Sequence, residues 1–211
     1  DNLERLGGFW GIHVNPVIGM DNPMNYRNKA QYPVGMGDNG PIAGFYARHS
    51  HTIIDSETCG IQHPGSEAVK NKVMELVRKL NIPVYDEATG EGILRHIITR
   101  VSFATGDIMV ILVVTDEKVP DLKKIINEIS GKIPGVKSIV LNINKRRDNV
   151  ILGDTVKTVY GSDTIIDRLG HLTFNISPLS FFQVNPVQTV VLYNKAVEFA
   201  GLTGNETVFD L

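Results

Sequence analysis

A run of six consecutive apolar residues, MVILVV at positions 109–114, restricts the fold of this chain more than any other feature. An uninterrupted apolar run of this length predicts a central β-strand that is covered on both faces, since a half-exposed strand alternates apolar and polar residues. Residues 66–80, with Ser66 as the expected cap, and residues 120–132 carry apolar side chains at helical spacing and are predicted helices. The sequence therefore predicts an α/β (α+β) protein with helices packed on a sheet.

Strand patterns surround the two helices in a regular order. Along the chain the order is strand, helix, strand, strand, helix, strand, with an additional hairpin strand near the start. This is the order of a ferredoxin-like split βαβ arrangement. We therefore assign residues 26–154 to a central α/β domain with an extra hairpin, and the turn-rich residues 1–25 to a lead-in segment. The predicted strands are 26–34, 42–48, 93–103, 107–115 and 136–144.

Residues 155–211 carry a different pattern. Three short extended pieces separated by glycine-containing turns predict a β-meander over 156–176. Asn185 directly before Pro186 predicts a helix start, and Gly201 predicts its end. The last residues, 206–211, form an apolar run that closes on an acid, which is typical of the first strand of a Rossmann-type domain. We expect the chain to be an interior segment that stops where such a domain begins.

The stretch before that helix, Ser180 to Pro186, is the strongest candidate for a site. The Gln183 amide offers both a donor and an acceptor, and Phe181 can stack on a base or pack against a ligand. The alternative is a strand end with a buried phenylalanine pair followed by an ordinary helix start. Local pattern alone leaves both readings open.

Charge and cysteine content limit the class of protein. Lys plus Arg number 21 and Asp plus Glu 23, a net charge of −2, which argues mildly against a dedicated nucleic-acid binder, although binding depends on where the cations lie. A single cysteine excludes a disulfide framework and fits a reducing compartment. Without an apolar run of about 18 residues, no membrane span is expected. We expect a soluble, cytoplasmic monomer.

Several basic residues are candidates for phosphate contact. Arg27 and Lys29 point to one face if their segment is extended, and Arg146 and Arg147 lie in the densest polar and basic cluster. The alternatives are a solvated edge strand guarded by charge and a solvated loop. Arg95, His96 and Arg100 lie on the predicted strand 93–103, where an edge or cross-strand charge pair is one interpretation.

One group of residues resembles a metal site. Two histidines, His49 and His51, alternate on one predicted strand face, and Cys59 and His63 follow closely. The spacing is not that of a zinc finger, and single histidines are usually satisfied by hydrogen bonds. Zinc is therefore kept as an alternative only.

Four motifs resemble one family in order and spacing. NYRNKAQYPV at 25–34, LRHIITR at 94–100, NVILG at 149–153 and ISPLSFFQVNP at 176–186 resemble the RNA 5-methyluridine methyltransferases, most closely the bacterial 23S ribosomal RNA (uracil-5-)-methyltransferases. The likeness runs from about Gly11 to Leu211. It implies S-adenosyl-L-methionine as cofactor and C5 of a uridine in RNA as the methylated position, with 23S ribosomal RNA as the expected substrate.

The resemblance also implies roles for single residues. Gln183 matches a cofactor-binding position, and Phe181 matches a residue close to the flipped base. The strand with Arg27 and Lys29 matches one that faces RNA. The strand with Arg100 matches one beside the RNA, which implies an RNA contact or a structural ion pair for it. Cys59 matches the fourth ligand of an iron–sulfur cluster whose other cysteines lie upstream, so it is expected to be a free thiol here.

The catalytic groups of the family are expected outside this chain. Its nucleophilic cysteine and its glutamate base belong to motifs beyond Leu211, so the chain itself is predicted to be inactive. Asp148 stands where the family commonly has threonine, which puts phosphate contact at that point in doubt. The rival hypothesis is a non-catalytic RNA-binding module, which would display aromatic side chains on the sheet face.

Overall fold

The computed structural model describes residues 2–209 and contains four helices and nine strands within that range. In chain order these are α1 Asn2–Arg5, β1 Lys29–Gly37, β2 Gly40–Tyr46, β3 Ile53–Asp55, α2 Pro64–Leu80, β4 Leu94–Val101, β5 Ile108–Val114, α3 Leu122–Lys132, β6 Val136–Ile143, β7 Thr155–Gly161, β8 Ile165–Leu169, β9 Leu172–Ile176 and α4 Pro186–Ala200. Within the described range, every helix is too short or too polar to cross a membrane.

The predicted central strand is β5, and all seven of its residues are buried. It lies inside a seven-stranded sheet of order β3-β2-β1-β4-β5-β6-β7, in which only the β5–β6 pair is parallel. Alternate residues of β5 enter two different cores. One core lies under α2 and α3, and the other lies under the β8–β9 hairpin. The apolar run was therefore correctly read as a strand covered on both faces.

The mixed α/β class and the order of elements along the chain are confirmed. The arrangement in space differs from a split βαβ unit, because α3 connects β5 and β6, which are direct neighbours with no strand between them. Likewise β1 and β4, on either side of α2, pair antiparallel. Periodicity locates strands along a chain but does not say which strands pair.

The segment from 155 to 176 also differs from a three-stranded meander. The first piece, β7, joins the large sheet beside β6, while β8 and β9 pair only with each other. Gly161 ends β7 with a φ of 69°, and a side chain there would lie 1.8 Å from the carbonyl oxygen of Lys137. Of the strand expected at 206–211, residues 206–209 form none, and Asp210 and Leu211 lie outside the described residues.

The start of α2 is set by a different residue from the one expected. The helix begins at Pro64, and the Gly65 N–H donates to Nδ1 of His63, the actual cap, at 3.0 Å. Ser66, the predicted cap, is fully buried in the first turn. The helix ends at Leu80, and the next residue, Asn81, caps it in the left-handed conformation. A histidine cap is uncommon, so residue preferences favoured the serine.

We expect His96 to make stability depend on pH. Its side chain on β4 is buried, and burial, reinforced by Arg95, lowers its pKa from 6.5 to about 4. Between these values the unfolded chain binds a proton that the folded chain does not. The free energy of unfolding should therefore fall by about 3 kcal/mol as the pH drops through this window.

Chemical denaturation from pH 7 to pH 4 measures this effect. The His96→Phe variant should lose most of that slope, whereas replacement of the exposed His171 by phenylalanine should retain it. Equal slopes in all three proteins would contradict the assignment to His96.

Candidate functional site

The loop of residues 177–185, between β9 and α4, is held by a buried arginine and is called the anchored loop below. Arg100 on β4 is 4% exposed, and its Nη2 donates to the carbonyl oxygens of Pro178, at 3.2 Å, and of Ser180. Burial lowers its pKa to about 10, so the guanidinium still carries its charge at neutral pH. Among residues 2–209 no carboxylate lies within ion-pair distance of it. Its partners are therefore backbone carbonyl groups, and the expected cross-strand ion pair is absent.

Asn28, just before β1, holds the other end of the same loop. Its backbone N–H donates to the Val184 carbonyl oxygen at 2.9 Å, and its side-chain Nδ2 donates to the Gln183 carbonyl oxygen at 2.9 Å. Asn28 is itself buried and accepts a hydrogen bond from the Val101 N–H at 2.8 Å. Together Asn28 and Arg100 fix four carbonyl groups of the loop to the end of the sheet.

This anchoring separates the two adjacent phenylalanines. Phe182 packs inward against Phe174, with ring centroids 5.6 Å apart, and joins the core beneath β8 and β9. Phe181 points outward and is 87% exposed. An isolated aromatic ring that is almost fully exposed contributes little to folding, so the structure does not support the reading of a buried phenylalanine pair. Phe181 instead offers a free ring face to a ligand.

Gln183 lies at the mouth of a cleft of about 480 Å³ beside the first turns of α4. Its backbone carbonyl is held by Asn28, while its half-buried side chain has no hydrogen bond to residues 2–209. The neighbouring amides are occupied. Asn185 caps α4 by accepting from the Gln188 N–H at 3.0 Å, and Gln188 Nε2 donates to the Ile18 carbonyl oxygen at 2.8 Å. Gln183 is therefore the free amide of the cleft.

Two further cations lie beside the anchored loop. Lys29 is directly opposite Arg100 in the β1–β4 register, and Arg27 is two residues earlier. Burial, and then the charges of Arg100 and Arg27, lower the pKa of Lys29. Within the described part of the chain, neither Arg27 nor Lys29 has an ion-pair partner. Three cations without a counter-charge favour an anionic ligand at this point.

The other predicted basic pair is not brought to this loop. Arg146 pairs with Asp148 at 2.7 Å, and Arg147 Nη2 donates to the Thr89 carbonyl oxygen at 3.4 Å. The nearby Arg95 stacks on the Tyr85 ring at 4.4 Å and donates to the carbonyl oxygens of Asn144 and Arg146. The acid that departs from the family pattern thus neutralises the arginine proposed to contact phosphate.

The zinc alternative is contradicted by the geometry. No group of three His, Cys, Asp or Glu residues within 2–209 is placed to hold a metal ion. His49 contacts Arg48, His51 pairs with Glu87 at 2.8 Å, and His63 caps α2. Cys59 is a free thiol whose backbone N–H donates to the Glu67 carboxylate. One thiolate does not make an iron–sulfur site, so the described residues do not fit that group by themselves.

The helix α4 presents an unusual surface. Of its 15 residues only Pro186 and Thr189 are buried, although the helix is largely apolar. Val187, Leu192, Val197 and Phe199 are each more than half exposed. A helix with apolar residues all round is normally a core helix.

The anchoring of the loop by Arg100 is testable by substitution. Arg100→Met keeps the length of the side chain but removes both bonds to the loop carbonyl groups. Because it also removes a buried charge, global stability should change little, while the loop loosens. Hydrogen exchange of the Ser180 and Asn28 amides should accelerate by about tenfold or more. The control is Lys29→Met, which removes a cation that makes no hydrogen bond to the loop and should leave this exchange unchanged. Equal protection of these amides in the two variants would contradict the anchoring role.

Known proteins provide an independent comparison. No protein-family model matches the chain. It is 48% identical over 211 residues to an uncharacterized RNA methyltransferase of Caldanaerobacter subterraneus and 50% identical over 210 residues to one of Halalkalibacterium halodurans. Each alignment covers 100% of this chain and 46% of the relative, so the chain spans about half the length of the curated relatives it matches.

A solved structure shares the fold. The tRNA (uracil-54, C5)-methyltransferase of Pyrococcus abyssi, in complex with S-adenosyl-L-homocysteine, aligns with a TM-score of 0.70 and 25% identity over 84% of this chain and 42% of that one. In sequence and in fold the chain is therefore similar to RNA methyltransferases, and it spans about half the length of those relatives.

Proposed function

We propose that this chain forms part of an S-adenosyl-L-methionine-dependent enzyme that methylates C5 of a uridine in 23S ribosomal RNA, acting as a monomer in the cytoplasm. The observation that carries the proposal is the anchored loop, which presents an exposed aromatic ring and a free amide beside three cations that have no counter-charge among residues 2–209. The P. abyssi neighbour, a tRNA uracil C5 methyltransferase, supports the uridine assignment. The resemblance of the motifs to the bacterial ribosomal RNA enzymes supports 23S RNA.

The loop residues suit a single unstacked nucleotide. A base that is methylated at a ring carbon must leave its stack to reach the active site. Phe181, with its free face, stacks on a base, and Arg27 and Lys29 contact the adjacent phosphates. Since Arg100 and Asn28 fix the backbone beneath Phe181, the ring is positioned before RNA arrives. This reduces the ordering cost of binding.

The cofactor contact of this chain is Gln183. When bound, S-adenosyl-L-methionine supplies the methyl group. The free Gln183 amide fits its amino-acid portion, because it offers a donor to a carboxylate and an acceptor to an ammonium group. The remaining contacts are proposed to come from the part of the longer relatives that this chain does not span. The same part would cover the apolar surface of α4.

The groups that act on the uracil ring are proposed to lie outside residues 1–211. Methylation at C5 requires a nucleophile that adds to C6 and a base that removes the C5 proton. Cys59 is not that nucleophile in this proposal, because the resemblance matches it to a cluster-ligand position and not to the catalytic cysteine. Its proposed role as the fourth ligand of an iron–sulfur cluster requires thiolates from elsewhere.

The isolated 211-residue chain should be inactive. One side-chain contact cannot offset the roughly 4 kcal/mol or more that association costs, so S-adenosyl-L-methionine should bind weakly or not at all. Calorimetry measures the binding of S-adenosyl-L-methionine, and transfer of a labelled methyl group to 23S RNA measures the activity. Methyl transfer by this chain alone would show that the assignment of the catalytic groups is wrong.

A protein of the relatives' length that contains this chain tests the function itself. Mass spectrometry should find its methyl group on C5 of a uridine in unmodified 23S RNA and not in transfer RNA. Phe181→Leu should weaken RNA binding about tenfold, as expected for one lost base stack. Tyr160→Leu, which removes an exposed ring of β7, should not. Methylation of transfer RNA alone, or of cytidine, would overturn the proposed substrate.

A further inference from the structure

A second cavity in the described part of the chain is separate from the anchored loop. It has a volume of about 770 Å³ and opens between the hairpin strands β1 to β3 and the segment around Glu87. Gly35 contributes no side chain to its wall, where a Cβ would lie 2.7 Å from Ile53 Cδ1. A cavity of this size accommodates a nucleoside.

Two buried polar side chains in its wall have nitrogen atoms without partners. Arg95 and His96 are each 5% exposed, and neither Arg95 Nε nor His96 Nδ1 has a hydrogen bond to the described residues. Buried polar atoms of this kind are rare in folded proteins, and each one needs an explanation. The wall that β4 contributes to the cavity is therefore polar.

The mouth of the cavity is built from a polar and aromatic network. Tyr46 Oη donates to one Glu87 oxygen at 3.4 Å, and His51 Nδ1 contacts the other at 2.8 Å. The rings of Tyr46 and His51 lie 5.4 Å apart. Burial, and then Glu87, raise the pKa of Tyr46 to about 12, so its hydroxyl keeps its proton. The network therefore offers ring faces next to a carboxylate acceptor.

The charge of the cavity selects against phosphate. Four carboxylates line it, those of Asp38, Asp55, Asp86 and Glu87, against the single cation of Arg95. A phosphate would be repelled. A neutral, flat ligand that carries several N–H groups would be accepted, because carboxylates accept hydrogen bonds and aromatic rings stack.

We propose that this cavity binds an amino-bearing base of single-stranded RNA, adenine, cytosine or guanine rather than uracil, with the base inserted and its phosphate left outside. His96 lies four residues from Arg100 on the same strand face, about 13 Å along β4. A strand that crosses the cations beside the anchored loop thus runs toward the cavity. The inference rests on the proposed function only in taking RNA as the source of the base.

Free nucleosides test the cavity without any methyl transfer. Titration of the 211-residue chain with adenosine, cytidine, guanosine and uridine, followed by the amide signals of Gly35, Glu87 and His96, should give saturable shifts with the first three. Uridine should bind at least tenfold more weakly. Glu87→Gln, at an exposed position that leaves the fold intact, should weaken the response about tenfold. Glu117→Gln, an exposed acid outside the cavity, should not.

The outcomes separate this inference from the proposed function. Phe181→Leu should leave the nucleoside response unchanged, since the ring belongs to the other site. No shift with any nucleoside, an equal response to uridine, or an equal loss in the two glutamate variants would each overturn the inference. None of these results bears on whether the longer enzyme methylates uridine.

Discussion

A buried arginine that has no counter-ion among residues 2–209 organises one end of this molecule. The guanidinium of Arg100 is withdrawn from water, and in that range its charge is balanced by the dipoles of the Pro178 and Ser180 carbonyl groups. Such a group is costly to bury, and removal of its partners would leave it unsatisfied. The loop is therefore restricted to positions that keep those carbonyl groups in place. Asn28 fixes the far end of the loop in the same way.

The two faces of the sheet are covered in different ways. On the face of α2 and α3 the packing is apolar and continuous, which supplies most of the stability. On the opposite face the β8–β9 hairpin and the anchored loop cover the centre, over Ile98, Met109 and Ile111. The ends of that face are left for polar groups. This cover also removes the open aromatic sheet face that an RNA-binding module of the rival kind would need.

Sequence patterns predict the parts of this structure that depend on periodicity. The run at 109–114, the two helices on the sheet and the Asn185 cap of α4 all follow from local spacing and residue preference. The anchors do not. Asn28 and Arg100 are 72 positions apart, and the loop they hold begins more than 75 positions after Arg100. An arginine in a largely apolar strand pattern signals an unusual partner, but only the packing of the loop against β4 shows that its partners are the Pro178 and Ser180 carbonyl groups.

The distribution of charge on the sheet resolves the objection raised by composition. A net charge of −2 does not by itself favour binding of a polyanion. The charges are separated, however: three cations, Arg27, Lys29 and Arg100, lie at one end of β1 and β4, and three acids, Asp38, Asp55 and Glu87, lie at the other. Local potential, not total charge, governs where a phosphate rests. The phosphates of an RNA strand would be attracted to the cationic end and repelled from the acidic end. At the acidic end only the uncharged bases would bind favourably inside the cavity. The same separation would fix the direction in which the strand lies across the sheet.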